Sequence, residues 1–153
     1  MTAPAIAVFV RMEKRALESR WADHEWRVAS LEPSPGAPAD AERSRVFGPI
    51  EVSLYRDEAE GYFLNTSSGA ARAFVMWRLG DGGLEGEPRV CSVTLSYNEA
   101  ARLMDAQERV DAVPLPALLA SWLEGFVAEH YRPEPKKKRV KASFLAPGER
   151  GGL

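Results

Sequence analysis

Apolar and polar residues alternate along the first part of the chain, which is the pattern of half-buried β-strands. Within residues 5–12, Ile6, Val8 and Val10 fall on one face of the predicted strand. Residues 26–31 alternate in the same way, so the sequence predicts a second strand there. Both strands are expected to bury one face and to leave the other in contact with solvent.

The alternation returns between residues 46 and 97, in short runs separated by turn-forming residues. Runs at 73–79 and 89–95 each place apolar side chains at every second position. We therefore predict an antiparallel meander, in which the charged stretch 56–61 forms a hairpin tip. This prediction leaves no helix between residues 50 and 95 and no parallel strands.

Helical periodicity appears only after the predicted strands. Ser96 and Glu99 have the spacing of a capping box, and the helix that they begin extends to about residue 107. A second helix is predicted to end near His130, and its apolar residues recur at the i, i+3, i+4 spacing of an amphipathic helix. Strands followed by helices predict an α+β fold: a mostly antiparallel sheet, or partly closed barrel, of about six strands followed by two C-terminal helices.

Composition indicates one globular domain and no membrane insertion. The chain has 153 residues, 45% apolar and 27% charged, and its single cysteine excludes an intrachain disulfide. The apolar run 3–10 has no positive charge before it and is too short to span a bilayer. We interpret it as a buried strand, expect a cytoplasmic protein that does not bind membranes, and predict a single α+β domain over residues 1–131.

Residues 132–153 are predicted to form a basic, disordered tail. They contain seven basic and two acidic residues, and because the whole chain has a net charge of −2, their +5 leaves −7 for residues 1–131. We expect truncation after Tyr131 to leave stability nearly unchanged. A run of like charges is often only a solvated segment. The functional interpretation, which we predict, is that a protein partner is bound with the help of the tail residues Lys136, Lys137, Lys138, Arg139 and Lys141. Nucleic acid is a weaker candidate, because residues 1–131 are acidic and have no aromatic-studded strand interleaved with basic residues.

Residues that could carry enzyme chemistry are scarce. One cysteine and two distant histidines cannot build a structural zinc site, and neither a phosphate-binding loop nor a Gly-x-Ser-x-Gly motif occurs. His24 lies between two carboxylates and could act as a general base, although a place in a polar turn is the simpler interpretation. Cys91 is expected to be a small buried strand residue, and His130 to favour the end of its helix. We therefore predict no catalytic residue, no metal site and no cofactor.

Asp57, Glu58 and Glu60 form an acidic cluster at the predicted hairpin tip. Such a cluster could attract a hard cation. A solvated turn is the favoured interpretation, because the backbone-carbonyl pattern of a calcium loop does not accompany the three carboxylates.

Several segments of the chain resemble one bacterial family. They read YRDEAEGYFLN at 55–65, FVMWR at 74–78, SYNEA at 96–100, VPLP at 113–116 and HYRP at 130–133. Over roughly residues 5–140 the chain is similar to a proteobacterial family of uncharacterised proteins, a domain of unknown function, that is often encoded beside molybdenum-dependent formate dehydrogenases. The resemblance implies a part in making or delivering a molybdoenzyme, and it assigns no catalytic or ligand-binding residue.

The leading hypothesis is a non-enzymatic accessory protein that binds a formate dehydrogenase subunit or maturation factor. It combines two observations: few residues could carry enzyme chemistry, and the resemblance implies a part in making or delivering a molybdoenzyme. One alternative is a small enzyme, or a module that binds a cofactor precursor, with a pocket near His24. A second alternative is nucleic-acid binding through the basic tail, which requires a basic surface that continues onto the domain.

Overall fold

Six strands in two antiparallel sheets and three helices make up the computed structural model, which describes residues 4–18, 20, 23–83 and 86–133. The first sheet contains β1 (Ile6–Ala16), β2 (His24–Glu32) and β3 (Ser44–Val52), in the order β2-β1-β3. As the alternation predicts, every second side chain of β1 turns inward, and three of them are completely buried: Val8, Val10 and Met12.

The second sheet contains β4 (Arg72–Leu79), β5 (Pro88–Thr94) and β6 (Arg109–Pro114), in the order β5-β4-β6. Its central strand, β4, contributes three alternating side chains to the core: Ala73, Val75 and Trp77. The sheets remain separate and do not close into a barrel.

The helices are α1 (Ala59–Thr66), which follows a 3₁₀ turn at Arg56–Glu58, α2 (Tyr97–Asp105) and α3 (Ala117–His130). α3 packs its apolar stripe into the interior, with Leu119, Leu123 and Phe126 buried. Each such side chain contributes roughly 1.5–3 kcal/mol when it is fully buried, so α3 is a main contributor to the core.

The two sheets share one hydrophobic core, which also receives side chains from α3. β2 lies beside β6, and β3 lies beside β5. On the β2–β6 side the backbone N–H of Val28 donates to Asp111 Oδ2 at 2.9 Å. On the β3–β5 side Arg45 Nη2 and Glu87 Oε1 are 2.9 Å apart. One polar link therefore joins the sheets at each side of the core.

The predicted α+β class, with six antiparallel strands and helices in the C-terminal part, is confirmed. The continuous meander is wrong, because residues 56–66 form the 3₁₀ turn and α1 instead of a hairpin tip and a strand. The buried residues Ala59, Tyr62 and Asn65 are spaced by three, which is helical spacing. β6 was also not predicted: it lies between α2 and α3, and Val113 is its only buried residue.

Cys91 is exposed, so the prediction that it is buried is wrong. Met76 pairs with Ser92 and the next residue, Trp77, pairs with Val90. Cys91 is thus the extra residue of a β-bulge, which shifts the alternation by one position. Val90 and Val93 pack against the core, while Cys91 lies on the solvent side.

Candidate functional site

A buried hydroxyl fixes the start of α1 against the start of α2. Ser96 is completely buried and caps α2, since its Oγ accepts from the backbone N–H of Glu99 at 3.1 Å. The same hydroxyl donates to Glu58 Oε1 at 2.5 Å, and Arg102 Nη2 donates to Glu58 Oε2 at 2.8 Å. The Ser96 hydroxyl thus both donates and accepts within the fold, and it links the 3₁₀ turn before α1 to the start of α2.

Gly61 makes that contact possible. A Cβ atom at position 61 would lie 2.0 Å from Ser96 Oγ and 3.2 Å from the backbone nitrogen of Asn98. Any side chain there would displace α2 or break the cap. The glycine is therefore required by a close approach between two elements.

Asn65 performs a similar structural task at the other end of α1. Only 3% of Asn65 is exposed, and its Nδ2 donates to the carbonyls of Arg72 at 2.7 Å and Leu95 at 2.9 Å. Its Oδ1 accepts from the Arg72 N–H at 2.9 Å. A buried amide with three hydrogen bonds is well satisfied, so Asn65 ties α1 to β4 and to the residue after β5.

The two histidines lie on different elements and do not cooperate. His24 begins β2 opposite Ala16, and the neighbouring Glu25 forms an ion pair with Arg15 at 2.5 Å. The His130 ring packs on Phe126, with 4.4 Å between the ring centroids. Trp21, near His24 in sequence, lies outside the described residues. Within the ranges that the structure describes, no three histidine, cysteine or acidic residues are grouped to hold a metal ion.

The acidic cluster of residues 57–60 surrounds the junction between the 3₁₀ turn and α1. Glu58 is engaged by Ser96 and Arg102, and Glu60 Oε1 accepts from Asn98 Nδ2 at 3.1 Å. Glu58 and Glu60 therefore make separate contacts, Asp57 is exposed, and in this described part of the chain the three carboxylates are not grouped to hold a metal ion. The hairpin tip on which both interpretations of this cluster rested does not exist.

The residues Arg56 to Glu60 meet the end of α3 in an exposed cleft of about 560 Å³, which we call the helix-end cleft. Tyr131, which lines the cleft after α3, stacks on Phe63 of α1, with centroids 4.4 Å apart and planes inclined by 11°. The lining residues are Arg56, Asp57, Ala59, Glu60, His130, Tyr131, Arg132 and Pro133.

Charges of both signs line the helix-end cleft. Arg56 and Asp57 are exposed and form no ion pair with another described residue. Arg132 Nη1 donates to the carbonyl of Tyr131 at 2.9 Å and stays close to the end of α3. The exposed charges of Arg56 and Asp57 are available to a charged partner.

The chain continues from this cleft into the segment predicted to bind a partner. Pro133 is the last described residue, so the sequence-predicted residues Lys136, Lys137, Lys138, Arg139 and Lys141 lie outside the described part. The sequence offered no signal that residues 56–60 and 130–133 would meet. The only hint was that both segments belong to those that carry the resemblance.

These features define a small α+β protein with two facing antiparallel sheets and a mixed-charge cleft at the ends of two helices. The chain belongs to the DUF3305 family, described as a protein of unknown function, whose profile matches residues 6–140. No curated protein and no solved structure matches the chain. The expected membership in a family of unknown function is confirmed. In the described ranges no helix is both long and apolar enough to cross a membrane.

Proposed function

We propose that this protein is a non-enzymatic accessory protein that binds a protein partner at the helix-end cleft. One observation carries the proposal: two segments about 70 residues apart in sequence build an exposed cleft in which Arg56 and Asp57 form no ion pair with any other described residue. The adjacent polar residues Glu58, Asn65 and Ser96 are all engaged in holding α1 in place. These hydrogen bonds fix the position of α1, which contributes residues to the cleft.

The partner we propose is a subunit or a maturation factor of a molybdenum-dependent formate dehydrogenase in the cytoplasm. The resemblance to proteins encoded beside such enzymes supports this choice, and no contact in the fold bears on it. An accessory protein of this kind needs a recognition surface and no catalytic group.

The position of the basic segment supports docking on an acidic partner. Lys136 is three residues beyond Pro133 and Lys141 is eight, so their Cα atoms can lie no more than about 11 Å and about 29 Å, respectively, from the cleft rim. Opposite charges raise the association rate at low salt. Nucleic acid is a poorer fit, since Asp57 and Glu60 interrupt any basic surface at this end of the described chain.

Complementation in the native host tests both parts of the proposal. Deletion of the gene should lower formate dehydrogenase activity and its molybdenum content, and the wild-type gene should restore both. Full activity and full molybdenum content in the deletion strain would refute the proposed partner.

A pair of charge swaps tests the cleft itself. Arg56→Asp together with Asp57→Arg reverses the cleft charges without changing the net charge. The matched control is Glu13→Arg with Arg27→Glu, which reverses an exposed ion pair of 3.7 Å on β1 and β2. The cleft swap should fail to complement and the control swap should succeed. Full complementation by a folded cleft swap would show that the partner binds elsewhere.

A further inference from the structure

A second cleft, of about 380 Å³, lies between the end of β4 and the start of β6. Trp77, Gly83, Gln107, Glu108 and Arg109 are among the residues that line it, and we call it the tryptophan cleft. It shares no residue with the helix-end cleft, so ligand binding at the tryptophan cleft is independent of the proposed function.

Trp77, one of the residues that line this cleft, carries a buried indole N–H donor. Only 4% of the residue is exposed, and its Nε1 has no hydrogen-bond partner within the described chain. Leaving a buried donor unsatisfied is destabilising, and such donors are rare in native proteins. A bound acceptor would remove that cost.

Arg109 contributes an unpaired cation. Its guanidinium carbon lies 5.2 Å from the centroid of the Trp77 ring, and it forms no ion pair with any residue that the structure describes. The neighbouring Arg78 and Glu108 neutralise each other in a two-pronged ion pair. Because those two charges cancel, Arg109 leaves the lining of the cleft with one net positive charge.

Gln107 holds an unusual backbone conformation at the same place. It ends α2 in a Schellman motif, since Glu108 N donates to the Leu103 carbonyl and Gln107 N to the Met104 carbonyl, each within 3.1 Å. Its φ of 68° makes it the only non-glycine residue with positive φ in the described ranges. Glycine is the usual residue at this position, so a glutamine there retains a side-chain amide beside the cleft at some cost in backbone energy.

We propose that the tryptophan cleft binds a carboxylate group. The carboxylate accepts from the Trp77 indole N–H and pairs with the Arg109 guanidinium, which matches planar acceptors of this shape. One net positive charge suits a monoanionic group. A phosphate, with a charge of about −1.5 to −2, would remain partly uncompensated.

Indole N–H resonances in ¹H–¹⁵N spectra test this proposal on the full chain. The Trp77 signal is assigned by its disappearance in Trp77→Phe. The probes are acetate, a short peptide with a free C-terminal carboxylate, and the same peptide amidated, each compared with sodium chloride at equal ionic strength. We expect a saturable shift of the Trp77 signal with at least one of the two carboxylate probes and none with chloride or the amidated peptide. A response to acetate alone would identify a small molecule as the source, and a response to the free peptide alone a chain terminus.

Arg109→Gln should weaken the binding at least tenfold, because a hydrogen bond to a charged group is lost. The matched control, Arg27→Gln, removes an exposed cation of β2 and should bind as the wild type does. Three results would overturn the proposal: no saturable shift with either carboxylate, equal affinity in Arg109→Gln, or a shifted Trp77 signal in ligand-free Glu85→Gln. The last result would mean that the chain supplies its own carboxylate, from a residue outside the described ranges.

Discussion

A single glycine, Gly61, sets how closely α1 approaches α2. We predict that Gly61→Ala destabilises the protein by about 2 kcal/mol, because its Cβ would lie 2.0 Å from the capping Ser96 Oγ. Urea unfolding of the variant measures this directly.

Gly125 in α3 provides the matched control, because a Cβ there meets no atom within 4 Å. Gly125→Ala should stabilise the protein by about 0.5–1 kcal/mol, since alanine is the better helix residue. If Gly61→Ala stabilises the protein as Gly125→Ala does, helix propensity decides the outcome and the close contact at Gly61 does not.

Tyr62 makes stability depend on pH in the alkaline range. The residue is 2% exposed, and burial raises the pKa of its phenol to about 12, although the Tyr55 N–H that donates to the phenol oxygen opposes this shift. The folded state thus holds the phenol proton more tightly than the unfolded chain, in which the pKa is about 10. This contribution is complete below pH 10 and is lost as the pH rises toward 12, with about 1 kcal/mol gone at pH 11.

Unfolding free energies at pH 8 and pH 11 test this for the wild type and for Tyr62→Phe. The variant should lose about 1 kcal/mol less over that interval, because the other tyrosines titrate in both proteins. Equal losses would show that Tyr62 ionises as freely in the folded protein as in the unfolded chain.

Sequence reasoning reached part of the detail around Ser96. The capping hydroxyl was predicted and is confirmed by its bond from the Glu99 N–H. The second hydrogen bond of a capping box, from the Ser96 N–H to the Glu99 side chain, is absent, because the Ser96 N–H donates to Thr94 Oγ1 at 3.1 Å. The hydrogen bond from Ser96 to Glu58 joins residues 38 positions apart in sequence. No local sequence pattern predicts a contact between residues so far apart.

Among the elements, α1 shows why a short helix escapes a search for apolar periodicity. It has eight residues, and its buried face includes Gly61 and the polar Asn65. Its exposed Glu60 and the preceding Asp57 and Glu58 resemble a charged turn in sequence. Long elements such as β1 and α3 were predicted because their buried faces are apolar throughout, and β6 was missed because so little of it is buried.

The two links between the sheets differ in burial, and this difference predicts different energies. Asp111→Ala leaves the N–H of Val28, a residue that is 5% exposed, without its acceptor and should cost about 1–3 kcal/mol. Glu87→Ala breaks an ion pair with Arg45 whose Glu87 side chain is 69% exposed, and should cost less than about 1 kcal/mol.

Chemical denaturation of both variants gives the comparison, and Asp111→Asn should recover much of the loss because its amide oxygen can still accept. Equal costs for Asp111→Ala and Glu87→Ala would contradict the importance that we assign to the half-buried acceptor Asp111.

For the protein as a whole, we expect the acidic residues 1–131 to be responsible for folding and the basic tail 132–153 to contribute to partner binding. A chain that ends at Pro133 keeps every described residue, including Arg132, which bonds to the carbonyls at the end of α3. We predict that its unfolding free energy stays within about 0.5 kcal/mol of the full chain, as is usual for surface changes. Its partner affinity should fall at low salt and match the full chain at high salt, because exposed charges are screened. A chain shortened in this way that unfolds would show that the tail is part of the fold.

The fold class followed from the order of periodic segments, but the arrangement of those segments did not. The facing of the two sheets depends on contacts such as that of Asp111 with Val28, which are 83 residues apart. The helix-end cleft likewise depends on the stacking of Phe63 on Tyr131. Tertiary contacts of this kind leave no periodic trace in the sequence.

Quantitative affinity purification from the native host tests most directly whether the helix-end cleft is a docking site. The tagged wild type, the Arg56→Asp/Asp57→Arg swap and the Glu13→Arg/Arg27→Glu control are purified in parallel, and the co-purifying proteins are quantified by mass spectrometry. We predict that a formate dehydrogenase subunit or maturation factor accompanies the wild type and the control, and that the cleft swap depletes it about tenfold, equivalent to about 1.4 kcal/mol. Equal recovery of that protein with the cleft swap and the wild type would contradict the proposed docking site.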